Sequence, residues 1–257
     1  MEFPVNLRLH LPSRDAPSYI FVVSHMRSFS TLLCHILGSH NDISGYVETH
    51  LSYFGRIDLW QLKRKVRETT DEPVVSKYLL DKMLHNYIHI DPSILARPNV
   101  KILFLVRNAT DTLKSILNLF VGQLSRGPIT CAEDALAYYA KRLQKIEQYS
   151  AQVGRNARFL ESEMLLEATD AALDGLSQWL DLSEGLSANY RTFKYTSLDH
   201  FGDPSPNITS GGIVASAEVR HRWYVPVSIP EPVLRRARDV YGACRQTLLR
   251  NQGALAL

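Results

Sequence analysis

No stretch of the 257-residue sequence approaches the ~18 apolar residues that a membrane-spanning helix needs, and its first residues lack a basic segment followed by an apolar one. A membrane span and a secretory leader are therefore not expected, and a cytoplasmic protein is. Cysteine is scarce: Cys34, Cys131 and Cys244 are odd in number, far apart and form no CxxC pair. Such usage argues against a disulfide framework or a thiolate zinc site and fits a reducing compartment. Nor does one sign of charge dominate, because 29 Lys and Arg face 26 Asp and Glu, for a net +3. The densest basic cluster is only Lys63-Arg64-Lys65, so a nucleic-acid partner is not expected. The mild positive balance suits a small polyanion instead. An internal repeat and a dividing linker are also missing, which favours one domain over residues 1–257.

What the chain does have is 45% apolar against 21% charged residues, enough to bury a full core. Val5 to Leu11 alternates as a half-buried edge strand does, until Pro12 and Pro17 break it. Tyr19–Ser24 and Lys101–Val106 are short apolar runs that predict strands buried on both faces. Helices are predicted over Ser28–Ser39, Ile57–Thr69, Ala109–Val121, Ala132–Val153, Ala168–Leu182 and from Pro230 to Leu249. Shorter strands are predicted at Ile43–Val47, Val74–Leu80 and Arg158–Leu160, and a short helix over Asp81–His89. Residues 183–217, rich in Ser, Gly, Pro and Asn, read as a long loop. The alternation predicts an α/β fold, with a central parallel sheet flanked by helices on both faces.

Between the first strand and helix lies Ser24-His25-Met26-Arg27-Ser28-Phe29-Ser30-Thr31-Leu32-Leu33. First-turn amides of a helix have no intrahelical partner, and the helix dipole adds partial positive charge there. Arg27 supplies a planar donor fork suited to phosphate or sulfate, and Ser28, Ser30 and Thr31 supply hydroxyls. Together they make an anion cradle. As an ordinary alternative, Ser28 or Ser30 caps the helix. A second candidate follows the Ile102–Val106 strand: Arg107, with Ser115 eight residues on. Ligands of open parallel sheets sit beyond the carboxyl ends of the strands, which would turn Arg107 toward the crevice of Arg27. A pair between Arg107 and Asp111 is the structural alternative. The GxxxxGK[ST] loop and the strand-end acid that hold Mg²⁺ in nucleoside triphosphate enzymes are both missing. The cradle therefore suits an anion that brings no magnesium, and no metal is expected.

These residues resemble the sulfotransferase family, whose members use the donor 3'-phosphoadenosine-5'-phosphosulfate (PAPS). Arg27-Ser28-x-Ser30-Thr31-Leu32-Leu33 looks like the family's 5'-phosphosulfate loop, in the Arg form of bacterial and carbohydrate-type members. Arg107 with Ser115 has the order and spacing of its 3'-phosphate site. Leu79-Leu80-Asp81-Lys82 resembles the Lys-containing strand end, and Phe159-Leu160-Glu161 through Leu182 the segment before the C-terminal region. Phe29 stands where the family usually has Gly, whose value is a positive φ and close backbone approach. Phe fits there if it keeps an ordinary helical or β conformation.

The resemblance implies a P-loop-like sulfotransferase fold and transfer of the sulfuryl group from PAPS to a hydroxyl of a small-molecule or carbohydrate acceptor. It implies a nucleotide site of Arg27, Ser28, Phe29, Ser30, Thr31, Leu32, Arg107 and Ser115. The transfer needs a base for the acceptor proton and donors for charge on the leaving oxygen. Glu48 is the first choice as base. His50 is next, sharing a face with Glu48 if the strand continues, and His85 is third. Lys82, with Arg27, would meet the bridging or sulfuryl oxygens; otherwise Lys82 partners Asp81 or begins a solvated helix. The stretch from Gly202 to Ile213 would close over the nucleotide or serve as a surface linker. Tyr46, Tyr53, Phe54 and Trp60 would line an acceptor wall or belong to the core. A nucleotide-binding relative without catalysis and a P-loop phosphoryl-transfer enzyme are the alternative functions.

Overall fold

The computed structural model describes residues 17–70, 76–120, 129–198, 206–214 and 227–252. Five strands pair in parallel in the order β2-β3-β1-β4-β5. They are β1 Ser18–Val23, β2 Ile43–Ser44, β3 Tyr78–Met83, β4 Val100–Val106 and β5 Ala157–Glu161. The helices are α1 Ser30–Gly38, α2 Arg56–Thr70, α3 Pro92–Leu95, α4 Ala109–Phe120, α5 Ala132–Ser150, α6 Met164–Glu167, α7 Thr169–Leu180 and α8 Glu231–Gln252.

β1 and β4 are nearly unbroken apolar runs because both their faces are covered. Alternate residues serve two separate layers. Ile20, Val22, Leu80, Leu103 and Leu105 meet Leu33 and Leu37 of α1 and Leu176 and Leu180 of α7. Phe21, Val23, Leu79, Ile102 and Phe104 meet Leu113 of α4, Leu143 of α5 and Leu248 of α8. Each such side chain contributes roughly 1.5–3 kcal/mol on burial, so the two layers hold the sheet by packing. β1 and β4 are neighbours, with Val22 beside Leu103. Yet α1 departs toward one layer and α4 toward the other. Segments leaving two adjacent strands toward opposite faces open a crevice at the carboxyl ends.

Several elements differ from the sequence pattern. The short helix expected over Asp81–His89 does not form, because β3 keeps its register with β1 as far as Met83 beside Val23. Polar Asp81 and Lys82 are tolerated inside a buried strand since each finds a partner there. β2 ends at Ser44 instead of Val47. Gly45 has φ 110°, and a Cβ would collide with the Leu80 carbonyl oxygen, so the chain leaves the sheet where only glycine fits. The helix expected over Ala168–Leu182 forms as α7, and a separate single turn, α6, precedes it, parted from it at Ala168 with φ −141° and ψ 53°. The 183–217 loop carries a 3-10 turn at Pro206–Ser210 and an antiparallel bridge from Asn189 to Gly212. Its Tyr190 and Ile208 bury against Ile36 of α1 and Leu173 of α7. The strand expected at Val5–Leu11, the start of the Val74–Leu80 strand and Gly202–Ser205 of the expected lid lie outside the described residues. Among the described residues, no helix is long and apolar enough to cross a membrane.

Candidate functional site

β1 delivers the chain into the turn that ends at Phe29, and α1 begins at Ser30. Phe29 is the N-cap residue and no side chain caps the helix, so neither Ser28 nor Ser30 plays that part. The Ser28 hydroxyl instead donates to the His25 carbonyl at 2.8 Å and lies 2.6 Å from the Ser24 hydroxyl. Arg27 (φ 65°) and Phe29 (φ 60°, ψ 15°) both adopt the left-handed region. The condition under which Phe was expected to fit here, an ordinary helical or β conformation, is thus not met. Left-handed residues within such a turn aim successive amides into one concavity, an arrangement that binds anions. A non-glycine residue gives up roughly 1–2 kcal/mol there. Two contacts offset it: the Phe29 ring packs against the Ile20–Val22 layer, and the Arg107 guanidinium lies over it, 4.1 Å from the centroid.

Arg107 leaves β4 at the neighbouring strand end and reaches the same turn. Its Nη1 donates to the Arg27 carbonyl at 3.1 Å, while Arg27 Nε donates to the Ser115 hydroxyl at 2.9 Å. The two sequence motifs therefore meet directly. The Arg107 amide donates to His25 Nε2 at 3.1 Å, and Tyr139 donates to the Arg107 carbonyl at 2.8 Å. An amide can only donate, so Nε2 of His25 accepts and its Nδ1–H donates to the Met26 carbonyl at 2.8 Å. Burial lowers the His25 pKa to about 3 and keeps this ring neutral. Asp111 exchanges hydrogen bonds with Asn108, at 2.9 and 3.1 Å.

On β3, alternation sends adjacent polar residues to opposite faces. Lys82 is fully buried and donates from Nζ to the Thr31 hydroxyl at 2.9 Å, so it is no solvated helix start. Asp81 accepts from the Thr49 amide (3.0 Å), the Thr49 hydroxyl (2.7 Å), the Tyr53 hydroxyl (2.5 Å) and the Lys82 amide (2.9 Å). Burial raises its pKa, and these donors act against that rise. Pinning Thr49 holds its neighbour Glu48, only 6% exposed, beside the end of β3. Glu48 Oε1 accepts from the Leu84 amide at 3.4 Å and lies 3.6 Å from His85 Nε2 and 3.9 Å from His50 Nδ1. His50 reaches it through a left-handed turn (φ 56°), not along a continuing strand. Burial raises the Glu48 pKa, with Lys82 and His50 opposing, and burial lowers that of His85 to about 4.

Sequence reasoning missed the support behind these groups. Arg142 of α5 is fully buried, and its guanidinium donates to the carbonyls of Ser24 (2.6 Å), His85 (3.2 Å) and Met83. Tyr138 accepts from the Met26 amide at 2.8 Å and donates to the Leu84 carbonyl at 3.1 Å. A cation within the apolar stripe of Leu136, Tyr139, Leu143 and Ile146 was the available signal. The proposed acceptor wall does not assemble. Tyr46 is buried, stacking on Phe193 at 4.1 Å, and Tyr53 serves Asp81 from the core, whereas Phe54 and Trp60 are exposed.

Fold and turn together define an α/β protein with a donor-rich turn at the ends of two adjacent parallel strands. The structure is similar to a sulfotransferase domain from the curacin biosynthetic pathway, with 20% identity and a TM-score of 0.59 over 88% of this chain and 98% of that one. It is also similar to the sulfotransferase domain of the Synechococcus PCC 7002 olefin synthase, at 16% identity and TM-score 0.56 over 90% and 97% of the two chains. A sulfotransferase from Alicyclobacillus acidocaldarius shares the fold at 14% identity and TM-score 0.52, over 91% and 95%. No curated protein matches the chain in sequence. Residues 58–184, which include Lys82, Arg107 and Ser115, match the model of the sulfotransferase family.

Proposed function

We propose that the chain transfers the sulfuryl group of PAPS to a hydroxyl of a small-molecule or carbohydrate acceptor. The observation that carries this reading is the union of two distant motifs, Arg107 donating to the Arg27 carbonyl and Arg27 to the Ser115 hydroxyl. Amides, hydroxyls and guanidinium groups gathered at one crevice are the donor set that a nucleotide with two anionic ends requires. Arg27 and the segment Ser28-Phe29-Ser30-Thr31-Leu32 would hold the 5'-phosphosulfate, and Arg107 with Ser115 the 3'-phosphate. PAPS, when bound, supplies the activated sulfuryl group. Lys82, held beside Thr31, would neutralise charge on the leaving oxygen together with Arg27. Glu48 would take the acceptor proton, with His50 and His85 adjacent to share it.

Calorimetry with 3',5'-ADP tests the nucleotide site. Binding is expected, weakened about tenfold or more by Arg107→Ala; no binding at millimolar nucleotide defeats the reading. Glu48→Gln tests the base: turnover is expected to fall by about 100-fold or more, with nucleotide affinity kept. If the parent chain binds nucleotide but turns over no member of a broad acceptor panel, it is a nucleotide-binding relative without catalysis.

A further inference from the structure

Glu48, His50 and His85 bring one carboxylate and two imidazoles to a single spot, with their ligand atoms all within 4.8 Å of one another. His85 Nε2 and His50 Nδ1 stand 3.6 and 3.9 Å from Glu48 Oε1. Tetrahedral zinc holds nitrogen and oxygen ligands at about 2.0–2.2 Å, hence about 3.3 Å from one another. Closing these two pairs onto a cation therefore takes movements of a few tenths of an ångström. Two imidazoles with one carboxylate suit zinc or copper and discriminate against magnesium, and three protein ligands leave a position open.

The ligands are also held from behind. Glu48 accepts from the Leu84 amide, and the adjacent Thr49 is anchored on Asp81. The His85 carbonyl accepts from Arg142. Tyr87 stacks on His85, with centroids 5.1 Å apart and planes 8° from parallel, and contacts of these kinds orient metal ligands. The Tyr87 hydroxyl lies 3.0 Å from His50 Nδ1, and that hydrogen bond gives way when the nitrogen takes the ion. Exposure rises from 6% at Glu48 through 25% at His85 to 39% at His50, so an ion can enter from the His50 side. Lys82 and Arg142 nearby oppose a divalent cation, which favours reversible occupancy over a permanent structural ion.

We propose that Glu48, His50 and His85 form a reversible site for a zinc-class divalent cation, and that its occupancy inhibits the chain by engaging the Glu48 carboxylate. The inhibition rests on the sulfotransferase reading; the binding does not. Calorimetry of the chelator-treated full chain against zinc chloride tests the binding, in a Cys131→Ser background that removes the exposed thiol. One zinc per chain is expected. His50→Gln and His85→Gln should each weaken it about tenfold or more, with 3',5'-ADP affinity unchanged, and magnesium chloride should give no comparable heat. Absence of stoichiometric zinc binding, or zinc affinity unchanged from the parent in both variants, overturns the site. Zinc-loaded chain should lose sulfuryl transfer and regain it with chelator; undiminished turnover of loaded chain overturns the inhibition. Zinc failure with 3',5'-ADP binding retained sinks this site alone, whereas failure to bind 3',5'-ADP sinks the donor assignment.

Discussion

Phe29 answers two opposed demands at one position. The turn requires a left-handed residue, and the Arg107 guanidinium requires a surface to lie on. Glycine would satisfy the first and forfeit the second. Alanine would satisfy neither, because it keeps a Cβ and loses the ring. Phe29→Ala should therefore be less stable than Phe29→Gly by about 1 kcal/mol, the reverse of their order in a helix interior. Urea unfolding of both variants measures this, and an alanine variant of equal or greater stability would show that the turn carries no strain. The ring's partner lies on another strand, so residue type alone signalled only a departure from glycine. His50 has the same history: the strand pattern placed it beside Glu48, and a left-handed turn brings it there by another path.

Among the elements, α5 acts as a clamp for the carboxyl ends of the sheet. Tyr138, Tyr139 and Arg142 bond to Met26, Leu84, Arg107, Ser24, Met83 and His85, so one helix ties the turn after β1 to the segment at the end of β3. Parallel strands end in outward carbonyls that would otherwise be buried without donors. Arg142→Met should cost roughly 3 kcal/mol or more, since several buried acceptors lose a charged donor, and Arg142→Lys should recover part of it. A methionine variant within ~1 kcal/mol of the parent, a typical single hydrogen bond, would show that these carbonyls find other donors. The helix itself was legible from its apolar stripe. The clamp was not, because its acceptors are backbone atoms and every residue type offers the same carbonyl.

At the scale of the whole molecule, α8 closes the far side of the sheet through Glu161 at the end of β5. Arg245 donates to it from Nε (2.9 Å) and Nη2 (2.7 Å), and Tyr241 donates at 3.0 Å. The Arg245 hydrogen bonds hold the Glu161 pKa below its usual value. A carboxyl depressed on folding stabilises above its unfolded pKa, and that stabilisation disappears as pH falls through the folded one. Glu161→Gln should thus lower the thermal midpoint at pH 7, with the difference shrinking as the parent is taken into the acid range. A difference that persists in acid would assign the effect to packing instead of charge. Short apolar runs alternating with amphipathic helical stretches by themselves determined a layered parallel sheet with an arginine after each of two strands, because burial and helical period are written in neighbouring residues. Only the tertiary structure decided that those strands adjoin, that their helices part to opposite faces, and that Ser115 and Arg107 meet the turn that holds Arg27. Those relations depend on strand order and facing, which no local stretch of sequence encodes.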